Sequence, residues 1–246
     1  MVRSSVKTVT YSSGSRKVNR SRQLVAKASQ LLRARMAGGT RAPLRTGGFY
    51  GVYTRRGRDE LKVKDVTVTS QNLTNTAGFE LINSIGQGSD YTQRIGRKVV
   101  VKSIFIRFTL IPNSANSAPN GDFARVIVLY DCQTNTVAPT AADVLSVQTD
   151  YLSPLNLNNR DRFKILHDKV VPMNPNVYTA TVLTAGDPVN KSWKLFKKVN
   201  METIYGATTT GIGAIQTGSL YIMYMSAGAT SYSTLTYNSR IRFIDS

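Results

Sequence analysis

The sequence predicts an all-β fold: one domain of eight strands in two four-stranded antiparallel sheets, preceded by a basic arm. Three observations point there. From Lys62 onward the chain runs in stretches rich in Val, Ile, Thr, Tyr and Phe, separated by segments rich in Asn, Ser, Pro and Gly, the texture of strands and turns. The connections 132–161 and 172–191 are too long for simple hairpins and point to crossings between two sheets. No fixed repeat is visible in the 246 residues, which sets aside propellers and solenoids.

The first 58 residues form the arm and linker; residues 59–246 form the folded domain. Fourteen of the 32 Lys and Arg lie in the arm with no Asp or Glu beside them: Arg3, Lys7, Arg16, Lys17, Arg20, Arg22, Lys27, Arg33, Arg35, Arg41, Arg45, Arg55, Arg56 and Arg58. Of the formal charge of +18, the arm therefore carries +14 and the domain +4. A block of like charge repels itself and has too little apolar side chain to offset its ordering entropy. It reads as a flexible arm that binds a polyanion through phosphate contacts.

Within the arm, SRQLVAKASQLLRARM (21–36) places Leu24, Ala28, Leu31, Leu32 and Arg35 at helical spacing, with Ser21 as N-cap and Gly38-Gly39 as the stop. The Gly/Arg linker that follows carries Phe49, Tyr50 and Tyr53, placed to stack on bases or to pack on the domain. An Arg- and Ser-rich, acid-free start is also the composition of a mitochondrial transit peptide, but the basic stretch continues past the helix to Arg58. Arg16, Lys17, Arg20 and Arg22, with the cluster Arg55, Arg56 and Arg58, are basic runs of the kind nuclear import receptors read.

In the domain, strands are expected at 63–72, 78–84, 98–111, 123–131, 162–171, 192–204, 218–226 and 233–244, the third being the longest and most hydrophobic. TAADVLSV (140–147) predicts one short helix, with Thr140 as N-cap and Asp143 in the first turn. In KSWKLFKK (191–198), alternation sends Lys194, Phe196 and Lys198 to one side of the strand and Trp193, Leu195 and Lys197 to the other. The first set offers charge and stacking to a nucleic acid, while Trp193 packs inward.

Enzyme chemistry finds little footing, and no catalytic residue is expected. One cysteine, Cys132, and one histidine, His167, exclude a disulfide framework or a Cys/His zinc site within one chain, and point to a reducing compartment. His167 lies in RFKILHDKVV, where alternation puts Phe163, Ile165 and His167 on one face, the setting of a packed histidine. The glycines of GQG (86–88) and GRK (96–98) lack the spacing of a phosphate-binding loop. Asp131, Asp143 and Asp150 suit loop capping better than a calcium ion. No cofactor or metal is expected. No run approaches the roughly 18 apolar residues of a membrane span, and the start lacks the apolar core of a secretory signal.

QRIGRK (93–98) leading into the long apolar strand, ARVIVLYD (124–131), NNRDRFKILHDK (158–169) and YNSRIRFID (237–245) form an ordered set. It resembles the capsid proteins of circular Rep-encoding single-stranded DNA viruses, the group of geminiviruses, genomoviruses and circoviruses. The likeness covers nearly all of residues 60–246, and the arm fits in character. The single Cys and His contrast with the several of geminivirus coat proteins, and circovirus arms are denser in arginine, so the resemblance points toward a genomovirus-like or unclassified relative.

The resemblance implies an eight-stranded viral jelly roll, self-assembly of about sixty copies into a small icosahedral shell, packaging of single-stranded DNA, and a nuclear localisation signal in the arm that engages a host nuclear import receptor. The protein would then be found in the virion and the host nucleus, with no membrane partner.

With the strands lettered B to I in chain order, the B, I, D and G strands carry Lys64, Lys98, Lys102, Arg107, Lys194, Lys197, Lys198, Arg240 and Arg242 against Asp65 and Glu202, a net of +7. The C, H, E and F strands net only +1. A shell lined by nucleic acid calls for that sign of asymmetry. The expected nucleic-acid-binding residues are accordingly the arm cations together with Lys98, Lys102, Arg107, Lys194, Phe196, Lys198, Arg240 and Arg242. The alternative function is a cellular, monomeric β-barrel nucleic-acid-binding protein with a basic tail.

Overall fold

The computed structural model describes residues 60–118, 120–175, 177–179, 182–185 and 190–245, with 177–179 and 182–185 described by backbone alone. The arm, with its expected helix at 21–36, its linker aromatics and its import-type clusters, lies outside the described residues.

Among the described residues the strands are β1 (Lys62–Leu73), β2 (Gly78–Leu81), β3 (Lys98–Pro112), β4 (Asp122–Asp131), β5 (Phe163–Met173), β6 (Val177–Thr179), β7 (Val182–Ala185), β8 (Lys191–Tyr205), β9 (Ile215–Thr217), β10 (Ser219–Ser226) and β11 (Ser233–Asp245), with one α-helix, α1 (Ala141–Val144). Two sheets form, in the orders β1-β11-β3-β8-β9 and β2-β10-β4-β5, and every strand pairing is antiparallel. In the lettering above these orders are B-I-D-G and C-H-E-F, the jelly roll.

Each of the eight expected strands is present, and three short ones are added. β6 and β7 pair as a hairpin inside the 172–191 connection. β9 extends the first sheet by pairing with the end of β8. β2 stops at Leu81 rather than 84 because the side chain of Asn83 takes over from the backbone ladder. Its Oδ1 accepts from Leu220 N at 2.9 Å, and its Nδ2 donates to Thr203 Oγ1 at 3.0 Å and to Gly218 O at 2.9 Å.

The core follows from period-two alternation. From β3, Val99, Val101, Ile104, Ile106, Phe108 and Leu110 point between the sheets, where they meet Val126 and Val128 of β4, Leu220 and Ile222 of β10, and Leu235, Tyr237, Ile241 and Phe243 of β11. The second sheet is buried on its other face as well. There Ile127, Leu129, Tyr221, Met223 and Met225 pack against Val144, Leu145 and Phe163, with Tyr151 and Leu155 alongside. β4 and β10 therefore read as continuous apolar runs because the 132–161 connection covers their outer side.

That connection is fastened by charge. Arg125 holds Asp168 through two hydrogen bonds of 2.9 and 2.6 Å and donates to the carbonyls of Tyr151 and Ser153. Arg162 makes a matching fork to the fully buried Asp131 at 2.9 and 2.8 Å. Asp143 accepts from both the backbone N and Oγ1 of Thr140, as its place in the first turn predicts. α1 is shorter than the expected 140–147 because Leu145 turns extended and bridges Leu155.

The alternation expected for β5 is broken by a bulge. The register shifts between Val128 and Leu129, so that Leu129 faces Ile165 but Val128 faces His167. Phe163 and Ile165 therefore join the outer cluster, while His167 turns to the inter-sheet side and stacks on Phe108 at 6.4 Å between ring centroids. Phe108 in turn stacks on Trp193 at 5.0 Å, which packs inward as expected.

Two predictions follow from this packing. Gly218 sits at the corner where the chain leaves β9 for β10, with φ +81°, and a Cβ there would run into Glu202 O and the Tyr130 hydroxyl. Gly218→Ala is expected to lower stability by about 3 kcal/mol, measured by denaturant titration. Second, burial holds the pKa of His167 below its ordinary 6.5, helped by Lys169 and Lys197 and opposed by Asp168. A depressed histidine contributes stability that is present above pH 6.5 and is lost as pH falls through the folded value. The melting temperature should therefore drop on acidification below about pH 6.5, and His167→Gln, which removes the only histidine, should flatten that slope.

Candidate nucleic-acid interface

Residues paired across antiparallel strands point to the same side of the sheet, so the registers fix what the outer face of the first sheet presents. One rung runs Thr67, Asn238, Arg107, Lys194; the next Asp65, Arg240, Phe105, Phe196; the next Val63, Arg242, Ser103, Lys198. Between them lie rungs pointing inward, among them Val68, Tyr237, Phe108 and Trp193. The outward rungs thus collect cations from β11, β3 and β8 around two aromatic rings.

These charges differ in their freedom. Arg240 is clamped to Asp65 by hydrogen bonds of 2.8 and 2.6 Å, an exposed pair in which each group holds the other ionised. Lys98 pairs with Glu202 at 2.6 Å. Lys102 Nζ donates to Asn200 Oδ1 at 2.7 Å. Arg107, Lys194, Lys198 and Arg242 have no acidic partner among the described residues. With Lys102 they leave five uncompensated cations on one face. The predicted set is therefore brought together, but Lys98 and Arg240 are already neutralised by protein carboxylates.

Two cations counted in the charge of this sheet point elsewhere. Lys64 and Lys197 lie on the inward rung with Ile241 and Ile104. Lys197 reaches out of the sandwich edge and donates to Leu166 O at 2.7 Å, tying β8 to β5. Alternation predicted that side for Lys197, and the structure places Lys194, Phe196 and Lys198 together on the outside.

Phe196 is 58% exposed, an unusual setting for a large apolar ring. Phe105 shares its rung, and the Arg107 guanidinium stands 5.4 Å from the Phe105 centroid. Sequence reasoning missed Phe105 and Asn238 as members of this face. The alternation of IFIRF was legible, but which half of it faces out depends on a register shift between Val101 and Ser103.

The QRIGRK segment, in contrast, holds structure together. Arg94 is 1% exposed, stacks 4.2 Å above the Tyr205 ring, and donates to the carbonyls of Ile85, Gly96 and Ala207. Burial lowers its pKa. No group of three or more potential metal ligands occurs among the described residues. No helix there is long and apolar enough to cross a membrane.

The geminivirus coat protein/nuclear export factor BR1 family matches residues 6–246 of the chain. No curated protein sequence matches it. Similar solved structures include Desmodium yellow mottle tymovirus, 14% identical over 76% of this chain and 88% of that one, with a TM-score of 0.33. The empty head of turnip yellow mosaic virus is 8% identical over 76% and 82%, with a TM-score of 0.30. The 60-mer BFDV capsid protein is 9% identical over 75% and 89%, with a TM-score of 0.23.

The two aromatics of the KSWKLFKK strand should separate cleanly on mutation. Phe196→Ala removes an exposed ring and should shift the melting temperature little while weakening single-stranded DNA binding by about 1 kcal/mol or more. Trp193→Ala empties the stack on Phe108 and should destabilise the fold by about 2–4 kcal/mol. Thermal melting and DNA titration of the two variants, side by side, check both.

Proposed function

Because the chain belongs to the geminivirus coat protein/nuclear export factor BR1 family, it is a viral coat protein, and we propose that it assembles into a small icosahedral shell that packages single-stranded circular DNA. The observation that carries this reading is the outer face of the β1-β11-β3-β8 sheet, where five cations without acidic partners surround the exposed Phe196. In the proposed shell that face lines the interior. Single-stranded nucleic acid is held in this way elsewhere, with cations tracking the phosphates and rings stacking on bases.

The arm, residues 1–58, supplies most of the affinity and little sequence preference, because Arg and Lys contact phosphates more than base edges. It also serves as the nuclear localisation signal through Arg16, Lys17, Arg20, Arg22, Arg55, Arg56 and Arg58, so that one set of charges directs import and then binds the genome. Residues 59–246 are the shell domain. About sixty copies is the smallest icosahedral set, and fourteen arm charges each place about 840 positive charges inside. That balances a quarter to most of the phosphates in a genome of roughly one to three kilobases, and small cations supply the remainder.

Deleting residues 1–58 should leave a folded domain whose binding to single-stranded DNA is weaker and less dependent on salt. An unchanged salt slope would place the main site elsewhere. Mixing the full chain with circular single-stranded DNA should give closed particles of uniform mass near sixty subunits by electron microscopy and mass measurement. Soluble DNA complexes without closed particles would overturn the shell reading. A reporter fused to residues 1–58 should enter the nucleus, and one that reaches mitochondria would revive the transit-peptide reading.

A further inference from the structure

The outer face of the first sheet is not uniform. At its centre is a depression of about 390 Å³ whose lining includes Asp65, Thr67, Phe105, Arg107, Asn238 and Arg240. We propose that this depression is a base-reading subsite that receives one purine of the bound strand, so that the folded domain adds a base preference to the sequence-blind grip of the arm. The inference rests on the nucleic-acid-binding reading above and goes beyond it.

The chemistry of the walls carries it. Phe105 supplies a ring surface at the bottom of the outward rungs. Asn238 and Arg107 are directly paired across β11 and β3. The Asn238 amide and the Arg107 guanidinium have no hydrogen-bond partner among the described residues, while the Arg240 guanidinium beside them is fixed by its fork to Asp65. An asparagine amide offers a donor and an acceptor side by side, the complement of adenine N6 and N7, and an arginine offers paired donors, the complement of guanine O6 and N7. Thymine has no pair of adjacent acceptors for the arginine, and the N3–H and O4 that could meet the asparagine amide sit on a smaller, single ring. A purine also covers more of the Phe105 ring. With the base seated, Lys194, Lys198 and Arg242 on the surrounding rungs are left for the flanking phosphates.

The expected preference runs against the usual one. Where only charge and general stacking act, preferences follow the stacking and flexibility of the strand itself. Thymine oligomers, which stack least on themselves, are then bound at least as well as adenine oligomers.

The test is fluorescence-anisotropy titration of the full chain with dA and dT oligomers of equal length, at about 0.3 M salt so that the arm's contribution is reduced. Wild type should bind the dA oligomer about fivefold more tightly. Asn238→Ala, an exposed substitution, should bring the dA affinity down to near the dT value, lowering dT binding much less and leaving the melting temperature unchanged. Equal affinities in wild type, or tighter dT binding, would overturn the base-reading subsite and leave the nucleic-acid reading standing. A dA preference that survives in Asn238→Ala would place the discrimination outside the depression and overturn it too. Failure to bind either oligomer, even at low salt, would overturn the reading of the function itself.

Discussion

The antiparallel registers of β11 with β1 and β3, and of β3 with β8, are the constraint on which the rest depends. Thirteen rungs join β11 to β3 and twelve join β3 to β8, and each rung commits its residues to one side of the sheet. A one-residue slip would carry Phe108, Ile106 and Tyr237 to solvent and Arg107 and Arg240 into the core. The apolar area of those side chains, at about 25 cal/mol per Å², fixes the register. The exposed cations then have no choice of face. The basic surface is thus a consequence of core packing.

Charge does two jobs in the two sheets, and the partners tell them apart. On β2-β10-β4-β5, Arg125 and Arg162 meet carboxylates at the edge of the core and spend their remaining donors on the covering connection. Breaking such a pair leaves a buried charge behind, so these groups hold the 132–161 segment in place. On β1-β11-β3-β8, Arg107, Lys194, Lys198 and Arg242 face outward with no acidic partner among the described residues. The same residue types become structural pins in one sheet and surface charges without carboxylate partners in the other. What differs is whether a carboxylate is left within reach.

Much of this was legible in the sequence. Eight strands, the short helix with its Thr140 and Asp143 cap, the inward turn of Trp193 and the charge excess of one sheet all follow from period-two alternation and residue counts. Bulges were not legible, because an extra residue in a strand leaves no mark in composition. The shift at Val128 and Leu129 turned His167 toward Phe108 and separated it from Ile165. The shift between Val101 and Ser103 decides that Arg107 and Phe105 face outward. Strict alternation from Val99 and Val101 would have put Arg107 in the core. Nor do charge counts reveal pairing, which is why Lys98, held by Glu202, and Arg240, held by Asp65, were read alongside Arg107 and Arg242.

The central claim is that the outward rungs of β3, β8 and β11 face the nucleic acid inside an assembled particle. Ultraviolet crosslinking of filled particles, followed by peptide mapping, tests it most directly. Crosslinks are expected in the arm and in the segments 98–112, 191–205 and 233–245, with Phe105 and Phe196 among the modified residues. Crosslinks confined to the 132–161 connection, or to β4 and β5, would mean that the opposite sheet faces the genome and would contradict the account.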